Sequence, residues 1–277
     1  RRRAAALGLL AEGEERRREV VCADALEWLA APGAVPEGAL ILTSLPDSSE
    51  VHEVAPTVEA WKVWFVEAAR RVLRALPPGG VAVFYQTDVR VSGVRQISKS
   101  FLVLSAAAEF ADVELRWHKV VHFGNVDRPT TSSVQFTHLL CFGRLESGPA
   151  PAGATVGGFD LGSTIPDLVA RGEKPWGLRN AARCMGVNAT VEVLKWAQRR
   201  LPGVHTVVDP FCGAGTALAL GNAMGFHAVG VDLSMRRVRQ AEALDGGVLL
   251  SGRAAGKAAG AGGALGAPAS TRGKAKR

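Results

Sequence analysis

The feature that most constrains the fold lies between residues 207 and 232. A β-branched run is followed by a turn with two glycines, an Ala/Leu-rich stretch and a second apolar run that ends in Asp232. This order predicts a β-α-β unit. Because Gly213 and Gly215 flank a single residue, the turn can adopt positive φ and bring main-chain amides against a ligand. Thr216 is placed to cap the helix that follows, which would point the positive helix end at that ligand.

The spacing of the glycines bears on which ligand the turn would hold. Leu218 occupies the place of the third glycine in the dinucleotide fingerprint, which weakens the case for a pyrophosphate. A nucleoside without phosphates fits better. Asp232, at the tip of the second strand, is placed to accept hydrogen bonds from two ribose hydroxyls.

The string Asp-Pro-Phe-Cys-Gly-Ala-Gly-Thr at residues 209–216 resembles the S-adenosylmethionine-binding loop of methyltransferases. Its form is that of DNA amino-methyltransferases of the β arrangement and of some RNA methyltransferases, and the resemblance covers about residues 19–245. A tight turn in an unrelated α/β protein is the alternative. The resemblance implies S-adenosyl-L-methionine as cofactor, held by Asp24, Ala25, Asp209, Phe211, Cys212, Gly213, Ala214, Gly215, Thr216, Asp232 and Leu233.

Asp24 is the second acid in this cofactor set. It follows a short apolar run and precedes an amphipathic segment that begins at Leu26. If the strand before Asp24 lies beside the strand that ends in Asp232, its carboxylate can accept a hydrogen bond from an adenine amino group. The same position suits a helix N-cap, and the two roles are compatible.

A polar loop, Ser44-Leu45-Pro46-Asp47, follows the buried run 39–43. The β-arranged amino-methyltransferases carry an Asp/Asn/Ser-Pro-Pro-aromatic motif here, which binds the acceptor amine and stacks on the flipped base. Ser44 and Pro46 keep this pattern, whereas Leu45 replaces the first proline and Asp47 replaces the aromatic. The resemblance therefore implies a catalytic loop of these four residues without base stacking and with a carboxylate beside the acceptor. A plain Pro-Asp-Ser turn is the alternative interpretation.

The remaining segments predict further alternation of helices and strands. Helices are expected at about 57–76, 97–110 and 189–200, with strands at 81–88, 113–121 and 136–142. Several charged or titratable side chains in and around these segments are interpreted as structural or solvated. They are Arg90, Arg95, Lys99, His118, His122, His138, Arg236, Arg237 and Arg239. For Arg90, Arg95 and Lys99, an approach to substrate phosphate is the alternative interpretation.

The order of the segments predicts a permuted domain, because the substrate half precedes the cofactor half. We expect an α/β fold: a doubly wound, mostly parallel seven-stranded sheet like that of Rossmann-like methyltransferases. Residues 1–18 would be a lead-in and 19–245 the methyltransferase domain, divided into a substrate half (19–145), a linker (146–188) and a cofactor half (189–245). Residues 246–277 would be a disordered basic tail.

Composition limits the possible partners. The net charge is +7, but six basic residues and no acid lie in residues 251–277, so the rest of the chain carries +1. Such a tail can hold nucleic acid or can simply be solvated. The sequence contains no run of about eighteen apolar residues, so no membrane-spanning helix is predicted. The four scattered cysteines indicate reduced thiols in an intracellular protein and no metal site.

These features together predict a methyltransferase that acts on a nucleic-acid base, at an exocyclic amine. The chain has only short loops where the β-arranged DNA enzymes carry a target-recognition segment. This slightly favours RNA over DNA, and DNA held by a partner subunit is the alternative. Because Asp47 breaks the base-stacking motif, a protein or small-molecule acceptor is the first alternative. A cofactor-binding subunit without chemistry, serving an RNA-associated complex, is the second.

Overall fold

A computed structural model describes residues 17–91, 95–123, 134–146, 164–172 and 184–252. The strands are β1 Arg18–Cys22, β2 Ala39–Thr43, β3 Val81–Gln86, β4 Val89–Val91, β5 Arg95–Ile97, β6 Val113–His122, β7 Phe136–Arg144, β8 Leu168–Ala170, β9 Thr206–Asp209 and β10 His227–Asp232. The helices are α1 Ala25–Ala30, α2 Val58–Arg74, α3 Lys99–Ala107, α4 Val187–Arg200, α5 Thr216–Ala223 and α6 Met235–Ala243.

Eight of the strands form one mostly parallel sheet in the order β1-β10-β9-β2-β3-β7-β6-β8. Only β7 runs antiparallel to both of its neighbours. The two C-terminal strands β9 and β10 lie between β1 and β2, the two strands that come first in the chain. This arrangement confirms the predicted α/β fold and its permuted order.

The sheet has eight strands where seven were predicted. The additional strand, β8, comes from the segment expected to be linker and pairs in parallel with β6 from Val120 to His122. Three residues with one buried side chain are too short to give a strand signal in sequence. The parts of the predicted linker at 147–163 and 173–183 lie outside the described residues.

Helices cover both faces of the sheet because its central strands are apolar on both sides. Every residue of β2 and β3 is buried, as expected for strands inside a mainly parallel sheet. One face packs on α2 through Trp61 and Phe65, both fully buried, with ring centroids 5.5 Å apart. The other face packs on α4 and α5, where Trp196 is buried.

The parallel strands bring the predicted site segments to one edge of the sheet. Cys22 at the end of β1 lies opposite Asp232 at the end of β10. The end of β9, Asp209, lies opposite Gly230. Ligands of open α/β sheets bind at such carboxyl ends, so the loops that follow β1, β2, β3, β9 and β10 form a common rim.

The C-terminal end of the domain lies further along the chain than predicted. Residues 246–252 are helical, and a Cβ added to Gly246 would lie 1.9 Å from the carbonyl oxygen of Ala219. The tail was therefore assigned to begin too early, because its Gly/Ala composition concealed a packed turn. Residues 253–277 and the lead-in up to residue 16 lie outside the described residues. No helix in the described parts of the chain is both long and apolar enough to cross a membrane.

Candidate active site

A cleft of about 760 Å³ opens at the carboxyl ends of the central strands. It is lined by both the predicted cofactor residues and the predicted catalytic loop, apart from Gly215. Those lining residues are Asp24, Ala25, Ser44, Leu45, Pro46, Asp47, Asp209, Phe211, Cys212, Gly213, Ala214, Thr216, Asp232 and Leu233. Segments that are almost 200 positions apart in the chain therefore share one cavity.

The two glycines of the loop after β9 have different surroundings. Both have positive φ, 54° at Gly213 and 81° at Gly215. A Cβ on Gly213 would meet nothing within 4 Å, whereas a Cβ on Gly215 would lie 2.6 Å from the Cβ of Ala241 in α6. Gly213 thus leaves room in the cleft, while Gly215 allows the loop to pass close to α6.

Thr216 does not cap α5 as the sequence analysis predicted. Gly215 is the N-cap residue, and no side chain caps this helix end. The hydroxyl of Thr216 is instead buried beside the cleft with no hydrogen-bond partner among the described residues. A buried polar group without a partner is costly, so this hydroxyl suits a polar ligand.

Asp232 holds the glycine turn against the end of β10. Its Oδ2 accepts a hydrogen bond from the main-chain amide of Gly213 at 3.1 Å, and its Oδ1 accepts one from the amide of Ser234 at 2.8 Å. Burial raises the pKa of Asp232, although these amides and the nearby Arg237 favour its ionised form. The carboxylate thus fixes the turn and lines the cleft at the same time.

Asp24 both caps α1 and lines the cleft. Its Oδ1 accepts hydrogen bonds from the amides of Leu26 and Glu27, at 2.7 and 3.1 Å. The amide of the preceding residue, Ala23, donates to the carbonyl oxygen of Asp232 at 3.3 Å, so the two acids follow neighbouring strands. The predicted adjacency of these strands is confirmed.

Asp209 connects the cofactor loop to the strand before the catalytic loop. It is 1% exposed, and its Oδ1 accepts hydrogen bonds from the hydroxyl of Thr43 at 2.7 Å and from the amide of Phe211 at 3.2 Å. Burial raises the pKa of Asp209 to about 7. Its side chain therefore links β9 to β2 across the centre of the sheet.

Lys99 is the main functional candidate that the sequence analysis missed. It was interpreted as part of a solvated helix face, but it is 3% exposed. Its Nζ donates to the carbonyl oxygen of Leu45 at 3.0 Å and to Oδ1 of Asp47 at 2.7 Å. The ammonium also lies 5.2 Å from the ring centroid of Phe65. The apolar residues of α3 could have suggested that Lys99, its first residue, is buried. No sequence signal could have indicated that Asp47 is its partner.

Arg237 was likewise predicted to be exposed and instead spans the cleft. Its guanidinium lies 3.3 Å from Oε1 of Glu50 and 3.6 Å from Oδ2 of Asp232. Glu50 in turn accepts a hydrogen bond from the amide of Asp47 at 3.2 Å. Asp232 and the predicted catalytic loop are therefore connected through Arg237 and Glu50.

Aromatic side chains line the cleft, although Asp47 replaces the aromatic residue of the catalytic motif. Trp64 and Phe211 contact each other edge to face, with centroids 6.1 Å apart, and both line the cleft. Tyr85 and Phe123 line it as well. Burial raises the pKa of Tyr85 to about 12, so its hydroxyl stays protonated at neutral pH.

Comparison with known proteins identifies the fold. No protein-family model matches the chain, and no curated protein matches it in sequence. Among solved structures, the PvuII DNA methyltransferase (cytosine-N4-specific) is similar with a TM-score of 0.59 at 14% identity, over 87% of this chain and 95% of that one.

Two further structures are similar. TTHA0409 from Thermus thermophilus, a candidate DNA modification methylase complexed with S-adenosyl-L-methionine, gives a TM-score of 0.55 at 20% identity, over 86% of this chain and 95% of that one. M1.HpyAVI in complex with SAM gives 0.50 at 13% identity, over 81% and 97%. The chain described here has the fold of these three structures.

Proposed function

We propose that this protein is an S-adenosylmethionine-dependent methyltransferase that modifies an exocyclic amine of a nucleic-acid base. The observation that carries the proposal is the shared cleft, in which Asp24, Gly213 and Asp232 lie with the loop from Ser44 to Asp47. The fold likeness to methyltransferases crystallised with the cofactor supports it. Sequence identity to those structures is low, so the assignment rests on the site.

The cofactor end of the cleft suits an adenosine. Asp232 would accept hydrogen bonds from the ribose hydroxyls and Asp24 from the adenine amino group, since both carboxylates follow neighbouring strands. Gly213 provides open space, and the unpartnered hydroxyl of Thr216 provides a polar contact. Leu233, which is 69% exposed, offers apolar surface to the adenine ring. When bound, the cofactor would supply an activated methyl group.

The acceptor end would orient an amine through Ser44 and Asp47. Lys99 already donates to the carbonyl of Leu45 and to one carboxylate oxygen of Asp47. Lys99 and Asp47 form an ion pair, and a carboxylate accepts hydrogen bonds only. The amine N–H groups of the acceptor would therefore donate to Ser44 and Asp47, which directs the nitrogen lone pair away from the loop.

Nucleic acid is the proposed acceptor, and RNA is favoured over DNA. Arg90, Arg171 and Arg236 line the cleft and would attract phosphate groups. The PvuII enzyme is described as a DNA methyltransferase, but the described loops at the cleft are short, with little length for a segment that reads a DNA sequence. RNA and DNA therefore enter the test as separate substrates.

Two measurements test this proposal. Titration calorimetry should detect S-adenosylmethionine binding and no comparable binding of NAD; the reverse preference would contradict the cofactor assignment. Transfer of labelled methyl from the cofactor should then reach RNA or DNA, and Asp47→Ala should reduce that transfer strongly. Full transfer by Asp47→Ala would refute the proposed acceptor site. Binding without transfer to any acceptor would favour a cofactor-binding subunit.

The Asp47–Lys99 pair favours one second candidate, a methyltransferase with a protein or small-molecule acceptor. The pair occupies the place where a base-stacking aromatic is expected, and the side chain of Asp47 is 41% exposed. A carboxylate there can accept hydrogen bonds from many kinds of amine. Label that appears in protein or in a small-molecule fraction, and not in nucleic acid, would select this candidate.

A further inference from the structure

Three titratable side chains outside the cofactor loop form a row from the cleft to the surface. Asp88 follows β3 and lines the cleft, His138 lies on β7, and His118 lies on β6. The side chain of Asp88 is 4% exposed and that of His138 is 12% exposed, whereas His118 is exposed to solvent. The sequence analysis treated both histidines as structural, because they lack metal spacing.

The two imidazoles contact each other directly. His118 lies opposite Leu140 and His138 lies opposite Val120 in the antiparallel pair, so the two histidines are diagonal neighbours on one face. Nε2 of His118 is 2.9 Å from Nδ1 of His138. A proton can therefore pass between the two rings without a bridging group.

The inner imidazole is close to Asp88 but is not yet hydrogen bonded to it. Nε2 of His138 is 3.7 Å from Oδ1 of Asp88 and has no hydrogen-bond partner among the described residues. A small side-chain rotation would close this gap. A contact with the carboxylate of Asp88 would satisfy this buried nitrogen.

Asp88 is held in place beside the proposed acceptor loop. Its Oδ1 accepts a hydrogen bond from the amide of Lys99 at 2.9 Å, and its Oδ2 accepts one from the amide group of Gln96 at 3.2 Å. The ammonium of the same lysine contacts Asp47. Burial alone would raise the pKa of Asp88, but His138 and these hydrogen bonds lower it. The ionised carboxylate would pass a proton on and not retain it.

We infer that Asp88, His138 and His118 carry away the proton that the acceptor amine releases. The inference rests on the proposed function. When the amine nitrogen gains a methyl group, a C–N bond forms as the C–S bond of the donor breaks, and the nitrogen then loses one proton. The carboxylate of Asp88 takes this proton and delivers it to Nε2 of His138. His138 passes its Nδ1 proton to Nε2 of His118, and Nδ1 of His118 releases a proton to solvent.

This relay works only while both imidazoles are neutral. The charged or titratable groups that face His138 are His118 on β6, Asp88 after β3, and Lys99 on α3, whose ammonium points to Asp47. Burial and the neighbouring His138 lower the pKa of His118, which favours its neutral form. Methyl transfer should therefore slow at acidic pH, where imidazole groups become protonated, because an imidazolium cannot accept another proton.

The test is single-turnover methyl transfer to the preferred substrate, measured between about pH 5 and pH 9, where histidine titrates. His138→Gln should be slower than wild type by about tenfold or more and should lose the acid limb of the profile. The affinity for S-adenosylmethionine should not change. His118→Gln should be slowed less and should recover with added imidazole. His227→Gln, on β10 and outside the cleft lining, is the matched control and should match wild type.

NMR of the histidine rings tests the Asp88–His138 contact without any turnover. Asp88→Asn should change the chemical shift of Nε2 of His138, because it replaces the carboxylate that lies 3.7 Å from that nitrogen. An unchanged chemical shift, or a wild-type rate and pH profile in His138→Gln, would overturn the relay. If wild type binds the cofactor but transfers no methyl group, the proposed function fails and the relay with it. If only the relay is wrong, the wild-type protein still transfers the methyl group.

Discussion

The two ends of the cleft are built differently. The cofactor end consists mainly of one continuous β-α-β unit, in which Asp232 fixes the turn at Gly213 nineteen residues earlier in the chain. The acceptor end depends on long-range contacts, since Lys99 reaches Leu45 and Asp47 from more than fifty residues away. A local motif therefore specifies the first end, while packing of separate elements assembles the second. Mutations should separate the two ends accordingly.

The largest effects are expected in the glycine loop. Gly215→Ala should lower the free energy of unfolding by about 2 to 5 kcal/mol, since the new Cβ combines left-handed strain with a clash against Ala241. Gly213→Ala should cost only about 1 kcal/mol, because its Cβ projects into open space. It should nevertheless weaken cofactor binding by about tenfold or more. Urea denaturation and calorimetry measure the two quantities.

These two glycine variants serve as controls for each other. If Gly213→Ala binds S-adenosylmethionine as tightly as wild type, the open space beside Gly213 is not the cofactor site. Equal losses of stability in both variants would contradict the difference in surroundings between Gly213, which faces the cleft, and Gly215, which packs against α6.

Lys99→Met should disable the acceptor end and leave the cofactor end intact. The substitution removes hydrogen bonds to the carbonyl of Leu45 and to Asp47, and such charge-assisted bonds contribute about 1.5 to 3 kcal/mol. Methyl transfer should fall by about 10- to 100-fold, with unchanged affinity for S-adenosylmethionine.

Stability should change little in Lys99→Met, because an apolar side chain of similar length replaces a desolvated charge. Lys195→Met, a partly exposed position on α4, is the control and should behave as wild type. Weakened cofactor binding in Lys99→Met would mean that the two ends are not independent.

Asp209 lies between the two ends and should make stability depend on pH. Its pKa is raised from 3.8 to about 7, so the folded state binds a proton more tightly than the unfolded state. The resulting stabilisation is complete below about pH 4 and is lost as pH rises through about 7. Asp209→Asn should remove this fall in the free energy of unfolding. Denaturation of both proteins at several pH values measures it, and identical pH dependences would contradict the assignment.

The smallest effect is expected for Arg237→Gln. Arg237 bridges Glu50 and Asp232 and is about one-third exposed, and partly exposed ion pairs contribute at most about 1 kcal/mol. Cofactor affinity should therefore change by no more than about fivefold, with a smaller change at high salt. A loss comparable to that of Gly213→Ala would mean that Arg237 contacts the cofactor directly.

Sequence reasoning recovered most of the fold because its signals are local. The apolar runs, the paired glycines and the strand-end acids each report on neighbouring residues, so β2, β3, β9 and β10 were predicted near their observed bounds. The three-residue strand β8 and the helical segment 246–252 were missed, since neither carries a periodic pattern long enough to read.

The sequence by itself determined that a loop with two glycines, two strand-end acids and the loop from Ser44 to Asp47 belong to one permuted α/β domain. Only the tertiary structure decided which cations line the cleft and which histidines contact each other. Lys99, Arg237 and the pair of His118 and His138 gain their partners from strands and loops remote in the chain. Burial and charge pairing arise from packing, which no local pattern encodes.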